Sequence, residues 1–217
     1  VAQKDGLEAI NLTILESAPL VGGVLGLPVA VAASLRNRAT ELRGYLQSPA
    51  GATDAYALAC AILFVLLYIP KLPLHAQVTV RYLHPLFPLG IYALVRIPAV
   101  HRALGTHWKT ALWTFAGSVF IGGQLVVAYL GLTNPGLGEA LQFHALLALV
   151  AGTLLGGWIV AGSLSERVPD RIGAVTLGFA TGLGTTFVLL SGVGYFDYAG
   201  TFALPVMGMV SDLLALV

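Results

Sequence analysis

Lys71, His75, Arg81, Tyr82 and His84 crowd into one polar stretch, KLPLHAQVTVRYLHPLFPL (Lys71–Leu89), in a chain that is otherwise mostly apolar. This set of side chains suits an anion, and phosphate above all. An arginine fork can pair with phosphate in two parallel hydrogen bonds, and a tyrosine hydroxyl can add another. Pro85 and Pro88 follow directly. Proline is at home in a first helical turn, and Pro88 also leaves a carbonyl without its usual donor, which bends the helix start. A helix start of that kind turns backbone N–H groups toward an anion. The simpler alternative is that Arg81 only reaches for lipid headgroups; the nearby Lys71, His75 and His84 weigh against it.

Other chemistries find less support. His75, His84 and His144 fall toward one side of the expected membrane, and His101 and His107 toward the other. No two histidines have the i, i+4 spacing of a helical metal site, and Cys60 is the only cysteine, so no metal site is expected. Ligation of haem by histidines from two helices is the remoter reading. The sequence holds no phosphate-binding glycine loop, no nucleophile elbow and no zinc-protease motif. Acids inside a membrane are functional candidates by default. Of Glu16, Glu139, Asp197 and Asp212, only Asp212 is expected well inside a span, and Glu139 is expected in an outer loop.

Membrane helices must position these groups. The 217 residues are 57% hydrophobic and 10% charged, with a mean hydropathy of +0.86. A soluble domain carries about 25% charged residues, and a core of this size could not hide so much apolar surface. A net charge of +1 gives no electrostatic case for nucleic acid. Apolar runs long enough to span a bilayer fall at Ser17–Ser34, Ala55–Pro70, Tyr82–Ala99, Thr110–Gly131, Leu141–Ser163, Ile172–Val193 and Gly200–Val217. Backbone in lipid must satisfy its own hydrogen bonds, so these runs predict helices, and the alternating pattern of barrel strands is absent. The expectation is an all-α, polytopic transmembrane bundle of about seven helices. It forms one transmembrane domain over 1–217, with 1–16 as a candidate interfacial segment. A start at Val1 and an end inside an apolar run predict a fragment of a longer chain.

Basic residues set the expected topology. Alternation puts Arg36, Arg38, Arg43, Arg96, Arg102, Lys109, Arg167 and Arg171 on one side, and only Lys4, Lys71 and Arg81 on the other. Eight against three predicts that the first group is cytoplasmic, the N-terminus extracytoplasmic and the C-terminus cytoplasmic. Arg96 is expected to snorkel to the cytoplasmic interface. The pairs Gly22–Gly26, Gly152–Gly156 and Gly178–Gly182 are small-xxx-small seams, read as ordinary helix packing. Trp113 and Tyr129 are expected as interfacial anchors, and Trp158 as a packed residue.

The run TVRYLHPLFPLGIYAL (Thr79–Leu94) resembles a segment of the polytopic GT-C membrane glycosyltransferases, in their protein mannosyltransferase-like and aminoarabinose-transferase-like families, notably archaeal members. Arg81, Tyr82, Leu83 and Pro85 carry the match, with His84 in a variable place. The resemblance covers about twenty residues and the many-helix layout. It implies a polyprenyl-phosphate-linked sugar as donor at the extracytoplasmic face. Arg81 and Tyr82 would meet its phosphate, with Lys71 and His84 as further substrate contacts. It also implies a catalytic acid in a loop outside this chain, and allows a divalent metal in the full-length enzyme, though no cofactor is identifiable here. The expected partners are membrane lipid and the lipid-linked sugar. Two other readings stand beside it: a fragment of a transporter or permease, and a structural membrane subunit.

Overall fold

The computed structural model describes residues 18–38, 44–45, 47–68, 86–133 and 137–195. The described residues are helical and contain no strand. The helices are α1 (Val21–Leu25), α2 (Leu27–Arg38), α3 (Pro49–Tyr68), α4 (Leu86–Arg96), α5 (Pro98–Gly117), α6 (Gly123–Thr133), α7 (Leu137–Leu164) and α8 (Asp170–Tyr195), with a π-helical turn over Ser118–Gly122 between α5 and α6. Among the described residues, three stretches are long and apolar enough to cross a membrane: Pro49–Leu67, Pro98–Tyr129 and Gln142–Leu164. The protein is therefore read as a membrane protein. The seventh expected span, Gly200–Val217, lies outside the described residues, as do residues 1–16.

Proline placement explains where the helices differ from the expected spans. The first expected span is broken at Gly26, where α1 stops and α2 begins. Pro28 has no N–H to give to the carbonyl one turn back, and its ring crowds that turn. The third expected span, Tyr82–Ala99, is cut in the same way. Ile97 precedes Pro98 and is extended (φ −64°, ψ 124°), as a residue before proline prefers, so α4 ends at Arg96 and Pro98 opens α5. The fourth expected span, Thr110–Gly131, is consequently part of a longer rod. The stretch Pro98–Tyr129 has 32 residues, about 48 Å of helix against a hydrocarbon core of about 30 Å. His101, Arg102, His107 and Lys109 lie in its first three turns, and the helix kinks at His107 (φ −124°, ψ 30°). Glu139, expected in a loop, stands in the first turn of α7.

Close glycine contacts fix the relative directions of α1, α2 and α7, and of α5 and α8. A Cβ on Gly22 would sit 2.4 Å from both the Cα and the carbonyl oxygen of Gly152, and one on Gly156 would sit 2.6 Å from the oxygen of Gly22. One on Gly26 would meet Ile159. Helices α1 and α2 thus run parallel to α7 at backbone contact. On the other side of the bundle, Gly178 faces the Ala111 carbonyl and Gly182 faces Ser118, so α5 and α8 run parallel. Small residues let the backbones approach, and the contact gains dispersion energy that lipid tails cannot match. The buried core follows these seams: Leu94, Ile97 and Val100 at the α4–α5 corner, Leu155 and Ile159 on α7, Leu177 and Leu183 on α8. Trp158 is buried too, with its ring against Gly173 and its Nε1–H donating to the Pro169 carbonyl at 3.3 Å.

These directions gather the basic residues. The ends of α2, α4 and α7 and the starts of α3, α5 and α8 share one end of the bundle. Arg102 at the start of α5 pairs with Asp170 at the start of α8, 3.6 Å apart. Arg36, Arg96, Lys109, Arg167 and Arg171 belong to the same end. Helix α3 is the outlier of the bundle. Its face carries Leu58, Ile62, Leu63, Leu66 and Leu67, all exposed, and within the described residues little of it is covered by protein.

Candidate functional site

Ser48 sets up the described polar cluster. Its hydroxyl accepts the Gly51 N–H at 3.1 Å and Pro49 fills the first helical position, so Ser48 caps α3. The same hydroxyl donates to the Tyr45 carbonyl at 2.6 Å, and the Ser48 N–H also bonds that carbonyl at 2.9 Å. Tyr45 is thereby tied to the start of α3, and its ring reaches back over the first turns toward Asp54.

Across from it, Tyr92 and Arg96 lie four residues apart on one face of α4, where helical side chains are neighbours. Their polar ends converge on Asp54. The Tyr92 hydroxyl donates to Oδ1 at 2.5 Å. Arg96 Nε–H lies between the two oxygens, at 3.0 Å from Oδ1 and 3.2 Å from Oδ2, while Nη2 donates to Oδ2 at 2.9 Å. The Tyr45 hydroxyl donates to Oδ2 and accepts from Arg96 Nη2 at 2.8 Å. The carboxylate therefore receives two phenols and a guanidinium fork, and the hydrogen bond to Asp54 holds the Tyr45 phenol above its ordinary pKa.

A carboxylate so fully engaged is poorly placed to act as a base. What the arrangement does is mechanical. It clasps the exposed helix α3 to α4 at the basic end of the bundle. The pair is half open to solvent, with 42% of the Arg96 side chain and 28% of the Asp54 side chain exposed. Sequence reasoning assigned Arg96 to snorkelling; it instead makes a fork-on-carboxylate pair. Asp54, Tyr45 and Tyr92 were not among the sequence candidates. Asp54 sits one residue before the apolar run that begins at Ala55, so it reads as a flanking charge. The available signals were the Ser48-Pro49 cap and the Tyr92/Arg96 spacing.

The sequence-predicted substrate contacts Lys71, Arg81, Tyr82 and His84 lie outside the described residues, as do His75, Glu16, Asp197 and Asp212. The elements on either side of them are described. From Asp54 to its end at Tyr68, α3 rises about 21 Å, and α4 runs back from Leu86 to Arg96, about 15 Å. Tyr68 and Leu86 thus mark the end of the helix pair opposite the Asp54–Arg96 clasp. His144, on the first half of α7, is buried in the bundle. Among the described residues no three of His, Cys, Asp or Glu come together as a metal site would require. No family model, curated protein or solved structure matches this chain.

Proposed function

We propose that this chain belongs to a membrane glycosyltransferase of the GT-C type, acting at the extracytoplasmic face on a sugar carried by a lipid phosphate. Arg81 and Tyr82 bind the donor phosphate, and Lys71 and His84 add contacts. The observation that carries the reading is the run from Thr79 to Leu94: in sequence its arginine and tyrosine precede the first described residue of α4, Leu86, by only a few positions, and the far end of α4 is fastened by Asp54. A lipid phosphate rests at headgroup depth. A helix fixed at its opposite end offers a steady support for groups that meet such a phosphate. The catalytic acid lies outside this chain under this reading.

The decisive comparison is donor turnover by wild type, Arg81→Lys and Arg81→Ala at matched expression in the complete protein. Lysine keeps the charge and loses the planar fork, so turnover should fall, and alanine should lower it further. Loss of a charge-assisted contact corresponds to roughly 1.5–3 kcal/mol, or about ten- to a hundredfold in turnover. Equal turnover for all three would remove Arg81 from the donor site.

The proposed orientation puts the basic end of the bundle in the cytoplasm. A cysteine at position 76 should then react with a membrane-impermeant maleimide added outside, and a cysteine at position 38 should not. The reverse pattern would invert the topology and exclude Arg81 from an extracytoplasmic site. A transporter remains the second reading, favoured by the break between α1 and α2, since interrupted helices build transporter sites. Passage of a solute across the membrane by the complete protein, with no sugar transferred, would favour it.

A further inference from the structure

The π-helical turn Ser118–Gly122 is the least regular part of the long α5–α6 rod, and it packs against α8. There the Gly123 N–H bonds back to the Ser118 carbonyl, one residue further than in an α-helix. Such a turn puts an extra residue into the helix and disturbs the regular pairing of carbonyls around it.

Thr186 of α8 faces this turn. It is 94% buried by its 6% exposure, and its hydroxyl has no hydrogen-bond partner. Three other threonines of the same helix behave differently: Thr176, Thr181 and Thr185 each donate to a carbonyl one turn back, on Gly173, Leu177 and Thr181. Thr186 does not make that local bond. Its side chain lies against Gly123, where an added Cβ would stand 3.4 Å from Cγ2 and 3.5 Å from Oγ1. One turn earlier on the same face of α8, Gly182 meets the Ser118 side chain, with Oγ 3.3 Å from the position of an added Cβ, and the Phe115 carbonyl at 3.0 Å. The seam between the π turn and α8 therefore brings a buried, unpartnered hydroxyl up to a glycine at the end of the turn. An unsatisfied hydroxyl in such a place is costly, and a small polar guest removes the cost.

We propose that this seam is a binding site for a single buried water molecule, held between Thr186 Oγ1 and the backbone of the π turn in the space left by Gly123. Water fits better than a cation. The groups named on both helices are neutral, so a cation would lack a compensating carboxylate at membrane depth.

The test is the sign of a stability change, read as the apparent Tm of the whole chain in one detergent or nanodisc. Threonine-to-valine is nearly isosteric and removes only the hydroxyl. If the hydroxyl holds a water, Thr186→Val lowers the Tm, by ~2–4 °C for a chain of this size, while Thr186→Ser stays nearer wild type. If the hydroxyl holds nothing, valine relieves a buried unsatisfied group, and the Tm stays or rises. That result overturns the proposal. Gly123→Ala supplies the second arm and separates water from a direct bond to protein. The added methyl makes ordinary contact with Thr186 but takes the water's space. It should lower the Tm in the wild-type background and raise it in the Thr186→Val background, where no water is displaced. The same shift in both backgrounds also overturns the proposal.

Discussion

Replacing Gly22 by alanine should unfasten α1 from α7, while the same replacement at Gly157, on α7 itself, should be neutral or stabilising. The contrast is steric. At Gly22 the new Cβ would be 2.4 Å from Gly152 Cα, 2.4 Å from its oxygen and 2.6 Å from its carbonyl carbon, all backbone atoms. No rotamer change can relieve a clash with backbone, so the helices must separate along the seam that also holds Gly156. Overpacking of this kind costs roughly 1–3 kcal/mol, and a contact with backbone on both sides belongs at the upper end. At Gly157 nothing lies within 4 Å of the new Cβ, and alanine favours helix over glycine by up to ~1 kcal/mol. Thermal unfolding of both variants in the same detergent decides the matter. Matching Tm values would mean that the α1–α7 contact does not exist as described.

The second large effect is expected at Asp54. Removing its carboxylate, as in Asp54→Ala, leaves the Arg96 guanidinium and the Tyr45 and Tyr92 hydroxyls without their shared acceptor, and α3 loses its clasp to α4. A fully buried pair broken this way costs about 3–5 kcal/mol. Here solvent reaches both partners, so the ion pair alone is worth up to about 1 kcal/mol, and with the two phenol hydrogen bonds lost as well the loss should be roughly 1–2 kcal/mol. Arg96→Lys should also weaken the clasp, because an ammonium cannot bridge both oxygens as Nε and Nη2 do. A double-mutant cycle of Asp54→Asn with Arg96→Gln isolates the pair. A coupling near zero would show the clasp to be ornamental. A coupling above ~1 kcal/mol, with Asp54 variants more open to proteolysis near the start of α3, would confirm it.

Asp54 also marks the boundary of what could be read from sequence. The apolar runs announced helices, because lipid leaves the backbone no other way to pair its polar groups. Pro28 and Pro98 were equally visible as punctuation, and each breaks a run that hydropathy alone joins into one span. Hydropathy averages over a window and does not register a single missing N–H, which is why Tyr82–Ala99 was read as one helix. The small-xxx-small pairs were legible as seams. Their partners were not, since nothing local to Gly178 says that it will meet Ala111, or that Gly22 will meet Gly152.

By itself, then, the sequence determined the medium and the material: a helical chain whose apolar surface requires lipid. It also supplied the resemblance around Arg81 on which the proposed function rests. Only the tertiary structure decided which residues meet. Asp54 and Arg96 are 42 positions apart and carry no pattern that links them; they pair because α3 and α4 run antiparallel and bring the start of one to the end of the other. The water site at Thr186 is of the same kind. A threonine in a helix ordinarily bonds back to its own carbonyls, and only the packing of α8 against a π turn leaves this one with its hydroxyl turned to the neighbouring helix.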